Sequence, residues 1–152
     1  MYKLYIEKNI SSEDLLTKVL KENYQINNFN IIKNEFGKPY IKNSNLFFSI
    51  GHDKDISIIA ISNKEIGVDI EYLNYNQHVI NKYFFDNEKE IMNNSKNKEY
   101  DFTKIWVKKE AYLKMKGTGL NYGQENIDTT KIKADIKEFE QFLIAVCEVT
   151  NY

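Results

Sequence analysis

The sequence predicts an α+β fold of two lobes, each a small antiparallel sheet packed against helices. Three observations carry this. Up to residue 71 the apolar residues fall in short, strand-length blocks separated by turn residues. Between about residues 76 and 116 they take helical spacing, and strand patterning returns beyond residue 126. Runs of strands followed by helices are the pattern of an α+β rather than a βαβ protein.

The elements follow in order. Met1–Glu7 alternates like a strand. Ser11 or Ser12 caps a helix whose apolar positions are Leu15, Leu16, Val19 and Leu20. Phe29–Ile32 is a short strand, and Phe36-Gly-Lys-Pro39 is a turn that holds the only proline. Leu46–Ile50 is a strand that Gly51-His52-Asp53 breaks, and Ile56–Ile61 is a second. Ser62-Asn-Lys64 reads as a hairpin turn leading into a third strand, Glu65–Glu71. Residues 76–84 form a short helix, and Asp86 caps another through Ile91 and Met92. The strongest helix starts at Asp101 or Thr103 and ends at Lys116-Gly117, with Gly117 and Gly119 suited to a cap and turn. Residues 126–133 and 140–149 close the chain as strands. There is no repeat and no linker, so 152 residues make one domain with lobes of about 1–64 and 65–152.

Composition removes several classes of function. The formal net charge is −1, which gives no electrostatic basis for general nucleic-acid binding. No apolar run has the length of a membrane span, and the first residues lack a signal-peptide core. The single cysteine, Cys147, lies in the apolar run Phe142–Val149 and is expected to be a buried thiol in a reducing, cytoplasmic setting. All 21 basic residues are lysine. Phosphate must therefore be gripped by ammonium groups, histidine or backbone N–H groups, never by a guanidinium fork.

Asp69 and Glu71, two apart on a strand, point to one face. Two carboxylates aimed together repel unless a cation lies between them, and Mg²⁺ suits such oxygens together with substrate phosphates. The spacing equally suits two solvated acids at a strand end. Trp106, Glu110 and Lys114 form one helical stripe. On spacing alone, Glu110 and Lys114 also make a surface ion pair and Trp106 a core residue. Lys114–Leu120 then gathers lysines and a glycine-rich turn able to hold phosphate. His52, after Gly51, and Lys38, in the Gly-Lys-Pro turn, are candidates for phosphate contact, and each equally suits an ordinary loop position.

The order of these segments is more specific than any one of them. Gly67-Val-Asp-Ile-Glu71, Trp106-Val-Lys-Lys-Glu-Ala-Tyr-Leu-Lys114 and Gly117-Thr-Gly-Leu120 closely resemble the two signatures of the 4'-phosphopantetheinyl transferase superfamily, a G-[IV]-D-x-E strand and a W-x-x-K-E-[AS]-x-x-K helix. Phe36–Pro39 is similar to that family's G-K-P turn, and Phe48–His52 to its F-N-x-S-H segment, with Gly51 where the family has a hydroxyl. The upstream motifs resemble the two-lobed, surfactin-synthetase-activator type, which implies two pseudo-symmetric lobes in a monomer.

The resemblance further implies an Mg²⁺-dependent enzyme, with Mn²⁺ as the alternative metal. It would move 4'-phosphopantetheine from coenzyme A to a serine of an acyl or peptidyl carrier protein and release 3',5'-ADP. Asp69, Glu71 and Glu110 would bind the metal. Lys114 would neutralise phosphate or the leaving group, Glu110 or a metal-bound water would take the serine proton, and Lys38, Gly51, His52 and Lys114 would meet coenzyme A. The carrier would dock near residues 72–92, where Tyr83, Phe84 and Phe85 offer an apolar patch. The family's basic helical segment after the first strand is largely missing, with Lys3 and Lys8 among the lysines that could substitute, and its middle-helix glutamate falls at Lys89, between Glu88 and Glu90. A relative that binds carrier protein or nucleotide without transfer is the competing reading.

Overall fold

The computed structural model describes residues 1–118 and 123–150. Strands β1 (Lys3–Lys8), β4 (Phe47–Asp53) and β5 (Ile56–Ser62) form an antiparallel sheet in the order β1-β5-β4. Strands β2 (Ile31–Lys33) and β3 (Pro39–Ile41) make a two-stranded ribbon. Strands β6 (Ile66–Tyr72), β7 (Asp135–Phe139) and β8 (Phe142–Glu148) form a second antiparallel sheet in the order β6-β8-β7. In each sheet the first strand pairs with the last, and the last occupies the centre. The two halves thus repeat one topology, with helix α1 (Ser12–Tyr24) answering to helix α4 (Lys98–Lys116). The expected pair of pseudo-symmetric lobes is present.

Strand alternation explains the layering. One face of β5 (Ile56, Ile58, Ala60) packs with Ile66, Val68 and Ile70 of β6 and with Phe142, Ile144 and Val146 of β8. Its other face, Ile59 and Ile61, meets Leu15, Leu16, Val19 and Leu20 of α1. The opposite face of the second sheet, Leu143, Ala145 and Cys147, meets Val107 and Ala111 of α4. The order is α1, first sheet, second sheet, α4. β5 and β8 are covered on both sides, which is why they read as continuous apolar runs.

Three expectations are corrected. Gly51-His52-Asp53 does not break β4 but completes it, paired with Ile58, Ser57 and Ile56. Gly51 sits in a tight place: a Cβ there would lie 3.1 Å from the Ile58 side chain and 3.5 Å from the Asp69 Cα. The segment 62–64 does not close a hairpin. The chain crosses there to the second sheet, and β6 pairs with β8 instead of β5. Residues 126–133 form no strand. One 3₁₀ turn, Gln124–Asn126, leads into the segment and another, Thr129–Lys131, lies within it, and the Lys109 ammonium donates to the carbonyls of Gln124 and Ile127.

Boundaries shift elsewhere for local reasons. Ser11 caps α1 through the Asp14 N–H. Helix α2 (Gln77–Tyr83) is capped by Asn76. Helix α3 (Asp86–Asn93) has Phe85 as its cap residue, and Glu88 accepts the Phe85 N–H at 2.7 Å. Helix α4 begins earlier than expected, at Lys98, capped by Asn97, and Gly117 ends it in the left-handed conformation. Gly119 and Leu120 lie outside the described residues.

Candidate active site at strand β6 and helix α4

Strand β6 carries the site because α4 lies directly on it. A Cβ at Gly67 would sit 1.9 Å from the Ala111 carbonyl oxygen and 2.3 Å from the Met115 nitrogen, so only glycine admits the helix at this height. Asp69 and Glu71 share the Gly67 face of the strand. Glu110 and Lys114, one turn apart on α4, are thereby brought to them. β4 lies on the other side of β6, and side chains bridge the two strands. Ser49 Oγ accepts the Val68 N–H at 3.0 Å and Asp53 Oδ2 accepts the Tyr72 N–H at 2.7 Å.

Lys114 makes no ion pair with Glu110. Its ammonium donates to Asp69 Oδ1 at 2.9 Å and to the Ile50 carbonyl at 3.1 Å, tying α4 to both β6 and β4. Asp69 is buried, and its Oδ2 has no hydrogen-bond partner. Burial, only partly offset by Lys114, holds the Asp69 carboxyl above the usual carboxylate range. Glu71 is pushed up to about 8, by burial first and then by the charges of Asp69, Asp53 and Glu110. Glu110 is raised as well, mainly by burial, while the Gln124 amide, donating to Oε1 at 3.1 Å, acts the other way. Asp69, Glu71 and Glu110 are thus all raised, and the Lys114 ammonium is the one positive charge that acts against the shift at each of the three.

Among the described residues no three His, Cys, Asp or Glu side chains already enclose a metal position. The donor set nevertheless fits a hard divalent cation. It consists of carboxylate oxygens only, it is short of positive charge, and it holds a buried oxygen without a donor. Mg²⁺ takes few protein oxygens and completes its shell from water and phosphate, so a closed protein cage is not required. Beside this cluster a cleft of about 300 Å³ runs between the lobes, lined by Phe36–Pro39, Phe48–Ile50, Glu110, Leu113, Lys114, Gly117 and Gln124.

The remaining sequence candidates lie differently. Lys38 lines the cleft with its stem, but its ammonium turns to Glu65 Oε2 at 2.6 Å and to the carbonyls of Ile66 and Met115 at 3.3 and 3.0 Å. It pins the turn of the first lobe to β6 and the end of α4. His52 is exposed and borders a separate recess with Asn9–Ser12, Lys54, Asp55 and Ser57. Gly51 is buried behind it. Of the apolar patch, Phe84 stacks on Phe102 at 5.5 Å in the core and Tyr83 lies against Trp106, leaving only Phe85 exposed. Glu88 is wholly buried in an ion pair with Lys109 at 2.6 Å, and Glu90 is exposed. Sequence reasoning missed Ser49, Asp53 and Gln124, whose partners are distant in the chain. Only their polar character in otherwise apolar or loop surroundings marked them.

Residues 65–147, which include β6, α4 and all four site residues, match the family described as the 4'-phosphopantetheinyl transferase superfamily. The chain belongs to that superfamily. It is 33% identical over 118 residues to the 4'-phosphopantetheinyl transferase gsp of Aneurinibacillus migulanus, covering 74% of this chain and 49% of that protein. It is 30% identical over 94 residues to the 4'-phosphopantetheinyl transferase HetI of Nostoc sp., covering 55% and 40%. To the 4'-phosphopantetheinyl transferase psf-1 of Bacillus pumilus it is 28% identical over 103 residues, covering 65% and 44%. The chain spans about half or less of the length of these relatives. As a member of the 4'-phosphopantetheinyl transferase superfamily it places the family's helix motif over its strand motif, and Gly67 is the residue that lets the two meet.

Proposed function

We propose that the chain transfers 4'-phosphopantetheine from coenzyme A to a serine of an acyl or peptidyl carrier protein, releasing 3',5'-ADP. The observation that carries this reading is the Asp69 carboxylate, buried, held by Lys114 at one oxygen and without a donor at the other. Asp69, Glu71 and Glu110 would hold Mg²⁺, or Mn²⁺ in its place. When bound, the metal would neutralise charge building on the pyrophosphate of the substrate. Lys114, at the cleft wall, adds a fixed positive charge for the same oxygens. Glu110, whose Oε1 accepts from the Gln124 amide, would be the base that takes the proton of the attacking serine. The apolar wall of Phe36, Pro39, Phe48 and Leu113 limits water in the cleft. Both lobes of the cleft come from one chain, which supports a monomer, and the buried thiol of Cys147 agrees with a reducing cytoplasm. No helix among the described residues is long and apolar enough to cross a membrane.

Incubation of several apo carrier proteins with coenzyme A and Mg²⁺, followed by mass measurement, tests the proposal. The expected result is the mass gain of one phosphopantetheine on at least one carrier. No gain on any of them would overturn it. The second reading, a relative that binds carrier or nucleotide without transfer, draws on one observation. The Lys38 ammonium is committed to Glu65 and two carbonyls, and His52 lies away from the cleft, so two expected phosphate contacts are directed elsewhere. Carrier or nucleotide binding without a mass gain would favour it.

A further inference from the structure

Glu110 is aimed by a residue outside the sequence motifs. Gln124 Nε2 donates to Glu110 Oε1 at 3.1 Å, and Gln124 is only 9% exposed. A buried glutamine gives up much rotamer freedom, so it holds one pose only where its backbone is fixed. Lys109 fixes it. The Lys109 ammonium donates to the Gln124 carbonyl at 2.9 Å, to the Ile127 carbonyl, and to Glu88 at 2.6 Å. All three of its donors are used. Glu88 in turn accepts the Phe85 N–H on one oxygen, and the N–H and hydroxyl of Thr129 on the other. Lys109 and Glu88 are both wholly buried, so slippage anywhere in this knot would strand a charge.

Lys109 and Glu110 are consecutive on α4. The residue that anchors the Gln124 main chain and the residue that receives its side chain therefore move as one rigid piece. We propose that Gln124 is a positioning residue: its amide orients the Glu110 carboxylate and leaves Oε2 for the metal, while the Glu88–Lys109 pair sets Gln124 in place. This rests on the reading of Glu110 as a metal-holding carboxylate. Partners that orient a metal ligand typically change metal affinity about 10- to 100-fold.

The test is Mn²⁺ binding to the metal-free chain by titration calorimetry, with thermal unfolding measured alongside. Gln124→Leu keeps the bulk and removes the donor. A residue that only packs would move the melting temperature and leave metal affinity alone. The expected result is a melting temperature near that of the wild type and Mn²⁺ affinity lowered about tenfold. Wild-type affinity in Gln124→Leu, or no Mn²⁺ binding by the wild-type chain, would overturn the proposal. If Gln124→Leu fails to fold, Gln124→Met, unbranched like glutamine, is read by the same two outcomes. If affinity falls as expected while the wild-type chain modifies no carrier, the transfer reading fails and the positioning role stands.

Discussion

A Cβ on Gly67 would lie 1.9 Å from the carbonyl oxygen of Ala111, and that contact sets the distance between strand β6 and helix α4. Asp69 and Lys114 meet at 2.9 Å only because the two elements are this close. Gly67→Ala must lift the helix, and the backbone it meets cannot turn aside as a flexible side chain would. The expected cost is about 1–3 kcal/mol or more, as for other overpacked cores. Urea unfolding measures it. A midpoint equal to the wild type would show that α4 rises freely and that the site tolerates a wider gap.

Lys114→Met removes the ammonium and leaves a buried carboxylate without its donor. In metal-free protein the loss is expected to be about 1–3 kcal/mol. Asp69→Ala and Glu110→Ala should each lower carrier modification by a factor of about 10² or more with the fold retained. Added Mg²⁺ should raise the melting temperature of the wild type and do less for either alanine variant. Melting curves with and without Mg²⁺, beside the mass assay, test these together. Near-normal transfer in either alanine variant would remove that residue from the site.

The Glu88–Lys109 pair supports a different expectation. Each side chain is wholly buried, and burial lowers the affinity of Lys109 for its proton. Loss of one partner strands the other, so Glu88→Leu or Lys109→Met alone should cost about 3–5 kcal/mol. The double variant strands no side-chain charge and should cost clearly less than the sum of the two. A double-mutant cycle by chemical denaturation measures the coupling, and strict additivity would mean that the two charges do not depend on each other.

Much of this was legible in the sequence, and what was not has physical causes. Every described strand except β3 and β7 was visible in outline, as alternation in β1 and as bounded apolar runs in the doubly covered β5 and β8. Which strand pairs with which was not visible. β5 and β6 are both apolar runs two to four residues from a turn, and nothing local says that β6 leaves for β8. Gly51 reads like a strand breaker, since a glycine inside a paired strand and one in a turn look alike in the sequence. The carboxylates of Asp69, Glu71 and Glu110 and the ammonium of Lys114 were legible because motif order carries them. Gln124 was not, because its meaning lies in a contact with Glu110, 14 residues away. Lys38 reads in the sequence as a turn lysine able to meet phosphate, but the direction of its ammonium depends on Glu65, 27 residues away.

Cys147 offers a probe of the fold. It faces α4 from the central strand of the second sheet, and burial pushes its thiol up to about 12. The thiolate is the reactive form, so at pH 8 the native protein should be inert to thiol reagents. Labelling should follow unfolding of the second sheet and reach full extent only in denaturant. Rapid labelling of native protein would mean that β8 opens readily, contrary to the burial of its residues 142–147.

Alkaline stability should report the tyrosines that join the elements. Tyr40 donates to Glu65 at 2.9 Å, and its hydroxyl is pushed up to about 12, first by burial and then by that hydrogen bond and charge. Tyr2 beside Asp135 and Tyr24 beside Tyr5 are also raised, each mainly by burial. In the unfolded chain tyrosine loses its proton near its ordinary value of about 10. Above that pH the native state therefore holds more protons than the unfolded state, and stability falls as pH rises. The contribution is fully present below about pH 10 and is lost as pH climbs through the folded-state values. Tyr40→Phe cannot titrate, so its stability should decline less steeply than the wild type between about pH 10 and 12. Because Tyr40 is only partly buried, solvent screening keeps the difference below one proton per molecule. Urea unfolding at pH 8, 10 and 11 compares the slopes, and parallel declines would show that Tyr40 plays no part in the alkaline limit.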